Sequence, residues 1–280
     1  MLRKYLPSVV QHTPNAEVIV ADNGSTDESL EVLRTEFPSV KTIVLDRNYG
    51  FAEGYNRAIA QVDTEYVVLL NSDVEVTDHW LSPLLDYLQE HPEVAAVQPK
   101  ILSWLHKDRF EHAGAAGGYL NALGYPYCRG RVLWHVEQDH GQYDTVAEVD
   151  WTSGACMCVR TKVYKECEGL DAAFFAHMEE IDLCWRMRNK GYRLACVPQS
   201  TVYHLGGGSL HYDNPRKNYL NHRNNLLMLY KNKQHPYGVL FVRFFLDYAA
   251  ALFYLLQGRP KSFKAVFDAR RDYRKMRKNY

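Results

Sequence analysis

The apolar positions of the first hundred residues come in short blocks whose period switches between two and about 3.6, the repeats of strand and helix. "AEVIVAD" (Ala16 to Asp22) is an apolar, β-branched run that ends on an acid and predicts a buried strand. "STDESLEVLRTEF" then carries leucines at helical spacing and acids in its first turn, with Ser25 or Thr26 as the predicted N-cap. The alternation repeats: "KTIVLD" (Lys41 to Asp46) predicts a strand, "GFAEGYNRAIAQV" a helix and "EYVVLLNSD" a third strand, while residues 3–12 read as a helix end. Strands alternating with helices predict an α/β fold with a mostly parallel central sheet and right-handed crossovers.

Three of these strands carry an acid at the carboxyl end, namely Asp22, Asp46 and Asp73. Open α/β sheets bind their ligands there, and an unpaired carboxylate in a packed interior would be strongly unfavourable. Each acid is equally suited to cap the next helix.

Further along, a helix is expected from Asp78 to about Glu90 and a strand over "EVAAVQPKIL". "HAGAAGGYLNALGYPYCRGR" has no clear period and reads as a long loop. "DWTSGACMCVRTKVYKEC" predicts strand then helix, and "DLCWRMRNKGYRLACVP" a helix closed by Gly191 and a strand stopped by Pro198. Beyond Tyr237 the composition changes. "GVLFVRFFLDYAAALFYLL" is apolar but interrupted by Arg243 and Asp247, four apart as a helical ion pair would be, and the last twenty residues are rich in Lys and Arg. The pattern therefore divides the chain into an α/β domain over 1–235 and an apolar, then basic, helical C-terminal extension over 236–280.

Composition narrows the functional classes. At 280 residues, 46% of them hydrophobic, the chain can bury a full core, and 33 basic residues balance 33 acidic ones, so no nucleic acid partner is expected. Six cysteines without a CxxC pair predict reduced, buried thiols, and Cys156 and Cys158 alternate on a strand as packing residues. "MLRKYLPSVV" is too short an apolar run for a secretion signal, and no 20-residue uncharged run predicts a membrane span.

Four motifs in order, "DNGSTD", "NYGFAEGYN", "LLNSDVEV" and "FFAHMEEIDLCWRMRNKGYRLACVPQSTVYHLGGGS", resemble the family 2 glycosyltransferases, over roughly Asn15 to Ser209. "GYPYCRGR" and "EEIDLCWR" are most similar to rhamnosyltransferase-like bacterial enzymes of surface-polysaccharide synthesis. The resemblance implies a GT-A fold and an inverting transfer from a nucleotide-sugar donor to a hydroxyl of a glycan or lipid-linked acceptor. It implies Mn²⁺ or Mg²⁺ held by Asp73 and His204, with Asn71 where the family has a first acid, and donor contacts from Asp22, Asn48, Gly54, Asn56, Asn71 and Asp73. The general base falls on Glu180, with Glu179 and Asp182 next. Acids in a first helical turn also simply favour the macrodipole.

A nucleotidyltransferase would need a basic, glycine-rich phosphate loop near the first strand, which the sequence lacks. A nucleotide-sugar or glycan binding protein of the same fold, without turnover, is the second reading. The expected location is cytoplasmic, with the C-terminal segment on the cytoplasmic face of the inner membrane. Family members open with an apolar strand, whereas "MLRKYLPSVV" resembles the helix after it. The expectation is a sheet lacking that first strand, a start upstream of Met1, and self-association through the vacated position.

Overall fold

The computed structural model describes residues 1–132, 135–206 and 214–280. The first part runs α1 (Leu2–His12), β1 (Ile19–Asp22), α2 (Ser29–Glu36), β2 (Lys41–Val44), α3 (Gly50–Ile59), β3 (Tyr66–Leu70), β4 (Val74–Val76), α4 (Ser82–Glu90) and β5 (Val94–Ser103). Short strands follow: β6 (Gly118–Leu120), β7 (Pro126–Cys128), β8 (Arg131–Val132), β9 (His135–Val136) and β10 (Ala147–Glu148). Then come β11 (Cys156–Arg160), α5 (Thr161–Glu166), α6 (Glu179–Asn189), β12 (Arg193–His204), α7 (Pro215–Asn232), α8 (Pro236–Leu256) and α9 (Pro260–Met276).

The alternation of the first half is as its periodicity predicts, but the central sheet is mixed. Its order is β10-β12-β5-β11-β3, with β4 also on β12. β5 and β12 are parallel, and β11 lies antiparallel between β5 and β3, so β3, β5 and β12 point one way. Both faces are covered: along β11, Met157 and Val159 face a core shared with α6 and α7, while Cys156 and Cys158 face a core shared with α1 and α4. All six cysteines are free and buried.

β1 and β2 form a separate parallel pair. Among the described residues, β1 bonds only to β2 and β3 only to β11, so the edges of β1 and β3 carry no ladder.

Four local expectations change. The α2 helix begins at Ser29 and not at Ser25, because the "DNGSTD" acids bond the turn instead: Ser25 N donates to Asp22 Oδ2 (3.1 Å) and Ser29 N to Asp27 Oδ1 (3.0 Å). The α4 helix starts at Ser82, after a turn in which His79 has φ 54°. The segment read as one long loop, 112–131, contains the antiparallel pair β6–β7 and the first residue of β8, which pairs antiparallel with β9 beyond it. Pro198 does not stop β12, since the register shifts between Val197 and Thr201 and a proline lacking its N–H fits at such an irregularity.

The C-terminal helices join the main core. Leu240 of α8 and Tyr273 of α9 belong to the same apolar cluster as Leu226 to Leu229 of α7.

Candidate active site

Asp73 lies in the two-strand corner after β3, and antiparallel pairing of β4 with β12 sets His204 opposite Val74, one residue away. His204 Nε2 is 3.1 Å from Asp73 Oδ1, and Leu205 N donates to Asp73 O at 3.1 Å. Behind the imidazole stands Glu111, with Oε1 3.8 Å from His204 Nδ1, a buried nitrogen with no hydrogen-bond partner among the described residues. Burial would raise Asp73, but the His204 hydrogen bond and charge outweigh it and hold the carboxyl below its usual range. Burial would lower His204, but Asp73 and the charge of Glu111 outweigh it and raise the imidazole. Glu111 is raised by burial, against the opposing charge of His204.

Glu111 was missed because it falls between the strand read over "EVAAVQPKIL" and the loop read from His112, in a stretch given no reading. The available signal was the bare residue across from it: a Cβ on Gly206 (φ +63°) would sit 2.7 Å from Glu111 Oε1. Of the "VYHLGGGS" motif, Gly207, Gly208 and Ser209 lie outside the described residues.

The three acids opening α6 have different surroundings. Asp182 is fully buried and takes bonds from Arg186 Nε (2.9 Å), Lys231 Nζ (3.1 Å) and Asn232 Nδ2 (2.8 Å), which engages its carboxylate in joining α6 to α7. Glu179 and Glu180 each keep a buried Oε2 without a partner among the described residues. Burial raises both, and the charge of Glu180 pushes Glu179 further up. Glu180 borders Gly154, where an added Cβ would meet Phe51 at 3.5 Å and Glu180 Cβ at 3.6 Å.

The backbone entering α6 is strained, with positive φ at Phe175 (65°), His177 (71°) and Met178 (74°). Buried Asn224 of α7 clamps it, Nδ2 donating to the carbonyls of Phe174 (3.0 Å), Ala176 (2.9 Å) and His177 (2.7 Å). Lys217, also on α7, is half-buried; burial lowers it against the attraction of Glu111.

The remaining predicted residues divide between the crevice and its scaffold. Asp22 is buried, with Oδ2 on the Ser25 amide. Asn48 Oδ1 accepts from Gly50 N (2.8 Å) at the start of α3. Asn23, which sequence reasoning passed over, fixes the same point by accepting from Tyr49 N (2.9 Å) and donating to Gly50 O (2.8 Å). The open side of Gly54 is taken by that amide, 2.8 Å from where a Cβ would stand. Asn56 holds Leu170 through both backbone groups (Nδ2 to O 2.7 Å, N to Oδ1 2.9 Å) and accepts from the Tyr164 hydroxyl. Asn71 donates its backbone N–H to Ala155 O (3.0 Å), and its side-chain amide has no hydrogen bond among the described residues. Asp46 accepts from the Tyr49 hydroxyl at 2.7 Å.

These contacts run in an open arc: from Asp22 and Asn23 to the head of α3 and Phe175, through Phe51 to Gly154 and Glu180, by Ala155 to Asn71 and Asp73, and on to His204 and Glu111. It stands at the carboxyl ends of β3 and β12, where an open α/β sheet leaves room for a ligand.

The model of glycosyl transferase family 2 matches residues 1–139, the part that carries three of the four motifs and the corner with Asp73. The chain belongs to this family. Being a family 2 glycosyltransferase, it transfers a sugar, and its architecture is GT-A. It is 27% identical over 219 residues, 72% of this chain and 71% of the relative, to the N-acetylglucosaminyl-diphospho-decaprenol L-rhamnosyltransferase of Mycobacterium tuberculosis. Among solved structures it is similar to the mannosyltransferase PcManGT of Pyrobaculum calidifontis in complex with GDP-Man and Mn²⁺ (TM-score 0.57, 14% identity, 94% of this chain and 69% of that one). It also shares the fold of GalNAc-T7 with UDP, GalNAc and Mn²⁺ (TM-score 0.56, 16% identity), covering 72% of this chain and 40% of that one.

The arc fits a divalent cation in a limited way. Among the described residues no three His, Cys, Asp or Glu side chains make a cation cage. Asp73 and His204 offer one carboxylate oxygen and one imidazole nitrogen 3.1 Å apart, and these are the two groups here that would hold it. Open positions for phosphate oxygens are what a cation binding a diphosphate needs.

Proposed function

We propose that the enzyme moves a rhamnosyl group, with inversion, from a nucleoside-diphosphate donor to a hydroxyl of a glycan or lipid-linked acceptor. Asp73 and His204 would hold Mn²⁺ or Mg²⁺, which when bound would supply charge neutralisation for the departing diphosphate. Asp22, Asn48 and Asn71 face the donor. Glu180 takes the proton from the acceptor hydroxyl as the sugar carbon is attacked from the side opposite the diphosphate, and Glu179 keeps its proton beside it. The rhamnosyl donor follows the activity named for the mycobacterial relative. The enzyme works in the cytoplasm, peripheral on the inner face of the membrane, and its copies associate through the open edges of β1 and β3.

The observation that carries this reading is the 3.1 Å approach of Asp73 to His204, which the β4–β12 pairing brings together past the carboxyl end of β3. Asp73→Asn removes the only carboxylate of the pair. It should abolish Mn²⁺-dependent binding of a nucleoside diphosphate in calorimetry, and undiminished Mn²⁺-dependent binding in the variant overturns the assignment.

A further inference from the structure

The α8 helix (Pro236–Leu256) is built inside out. Its inward face, on the i, i+4, i+7 rows, carries Pro236, Leu240, Arg243, Asp247 and Ala251, so the two charges of the helix are buried. Its outward face is apolar: Phe241 is 67% exposed, Phe245 58%, Leu252 53%, Phe253 56% and Leu256 78%. A helix in contact only with water has the opposite arrangement, with polar residues outward. Large exposed apolar patches mark contact surfaces.

The apolar surface continues onto α9. Phe244 and Tyr248 meet edge-on at 4.7 Å between ring centroids, Tyr248 meets Phe267 at 4.9 Å, and Phe267 meets Phe263 at 4.8 Å. Beside this ladder α9 exposes Lys261, Lys264 and Arg274, none with an ion pair among the described residues.

We propose that this face docks the protein on the surface of an anionic lipid bilayer, with α8 lying in the plane of the headgroups and the basic residues of α9 against the lipid phosphates. Apolar outward side chains flanked by cations are what an anionic bilayer surface accepts, whereas a second apolar protein face would leave those cations unmatched. The same helix is long and apolar enough to cross a bilayer by length and composition. Its buried side forbids that orientation. Arg243 donates to Leu123 O (3.1 Å) and lies 3.5 Å from Asp247, Asp247 also takes a bond from Arg270 of α9, and His222 of α7 is 3.6 Å away. A spanning helix would have to tear this cluster apart and carry its charges into hydrocarbon. The inference deepens the peripheral location proposed above and rests on none of the transfer chemistry, so vesicle binding and glycosyl transfer fail separately.

The test is co-sedimentation of the full chain with vesicles of phosphatidylcholine alone and of phosphatidylcholine mixed with phosphatidylglycerol. The protein should pellet with the anionic vesicles and far less with the neutral ones. The variant Phe241→Ser/Phe245→Ser/Phe253→Ser should lose about tenfold in partitioning while keeping its melting temperature, because the rings it removes touch solvent. Lys261→Glu/Lys264→Glu should remove most of the preference for anionic lipid. A wild-type chain that stays in the supernatant with anionic vesicles overturns the proposal. So does a lipid-independent dimer that the serine variant converts to monomer, since a second copy would then cover the face.

Discussion

Asp73 and His204 hold each other in their charged forms, and this gives the pair a pH window. Asp73 is lowered from 3.8, so its contribution is present above that value and lost as pH falls through the folded pKa; His204 is raised from 6.5, so its contribution is present below that value and lost as pH rises through the folded pKa. In the absence of metal, His204→Gln should therefore lower the melting temperature most between pH 3.8 and 6.5 and progressively less at higher pH, which thermal melts over a pH series check directly. Deprotonated His204 is also the form that binds a cation, so Mn²⁺ affinity should rise as pH climbs above 6.5 through the raised folded pKa. At Glu180 the raised carboxyl should move the acid limb of kcat upward. Glu180→Gln should cut kcat by about 10²- to 10⁴-fold and leave nucleoside-diphosphate affinity nearly unchanged; near-normal turnover would transfer the role to Glu179.

The run Phe175 to Met178 is the element on which the position of Glu180 depends. Its positive φ values are unfavourable for residues with side chains, and the three carbonyl bonds from Asn224 keep it in place. Asn224→Ala leaves those carbonyls without their buried donor, at a loss of about 1–3 kcal/mol, equivalent to a melting-temperature drop of roughly 2–12 °C for a chain of this size. Hydrogen exchange should speed up in the 174–182 segment ahead of the central sheet. A variant with wild-type exchange there would show that the strain is held by other contacts. Asn23 works in the same manner at the head of α3, and the smallness of Gly54 serves that asparagine.

Across the whole molecule, α7, α8 and α9 are fastened by Asp247. It is buried with Arg243 and Arg270, and removing one member of such a cluster strands the others without compensation. Asp247→Ala should cost about 3–5 kcal/mol in urea unfolding, a loss much larger than that of the serine substitutions on the outer face of α8. The unladdered edges of β1 and β3 are the other feature at this scale, since exposed strand edges are templates for pairing. Sedimentation velocity over a range of concentrations should show self-association, and a strictly monomeric chain would exclude those edges as its route.

The sequence by itself determined the alternation of strands and helices, the order of the four motifs and the strand-end acids, because periodicity, turn chemistry and short-range spacing are local properties. It marked Asp73 and His204 separately. Only pairing of β4 with β12 decided that they touch, since a contact across 131 positions depends on register, which local pattern does not fix. The same holds for Glu179, Glu180 and Asp182: they share one helical turn, but the cations of α6 and α7 engage Asp182 and leave the two glutamates with unpaired oxygens. Glu111, Asn23 and Asn224 gave little signal because their roles lie in what folds against them. The apolar run of α8 was plain in the sequence, while its direction, charges inward and phenylalanines outward, was decided by the buried partners that Arg243 and Asp247 find on α7 and α9.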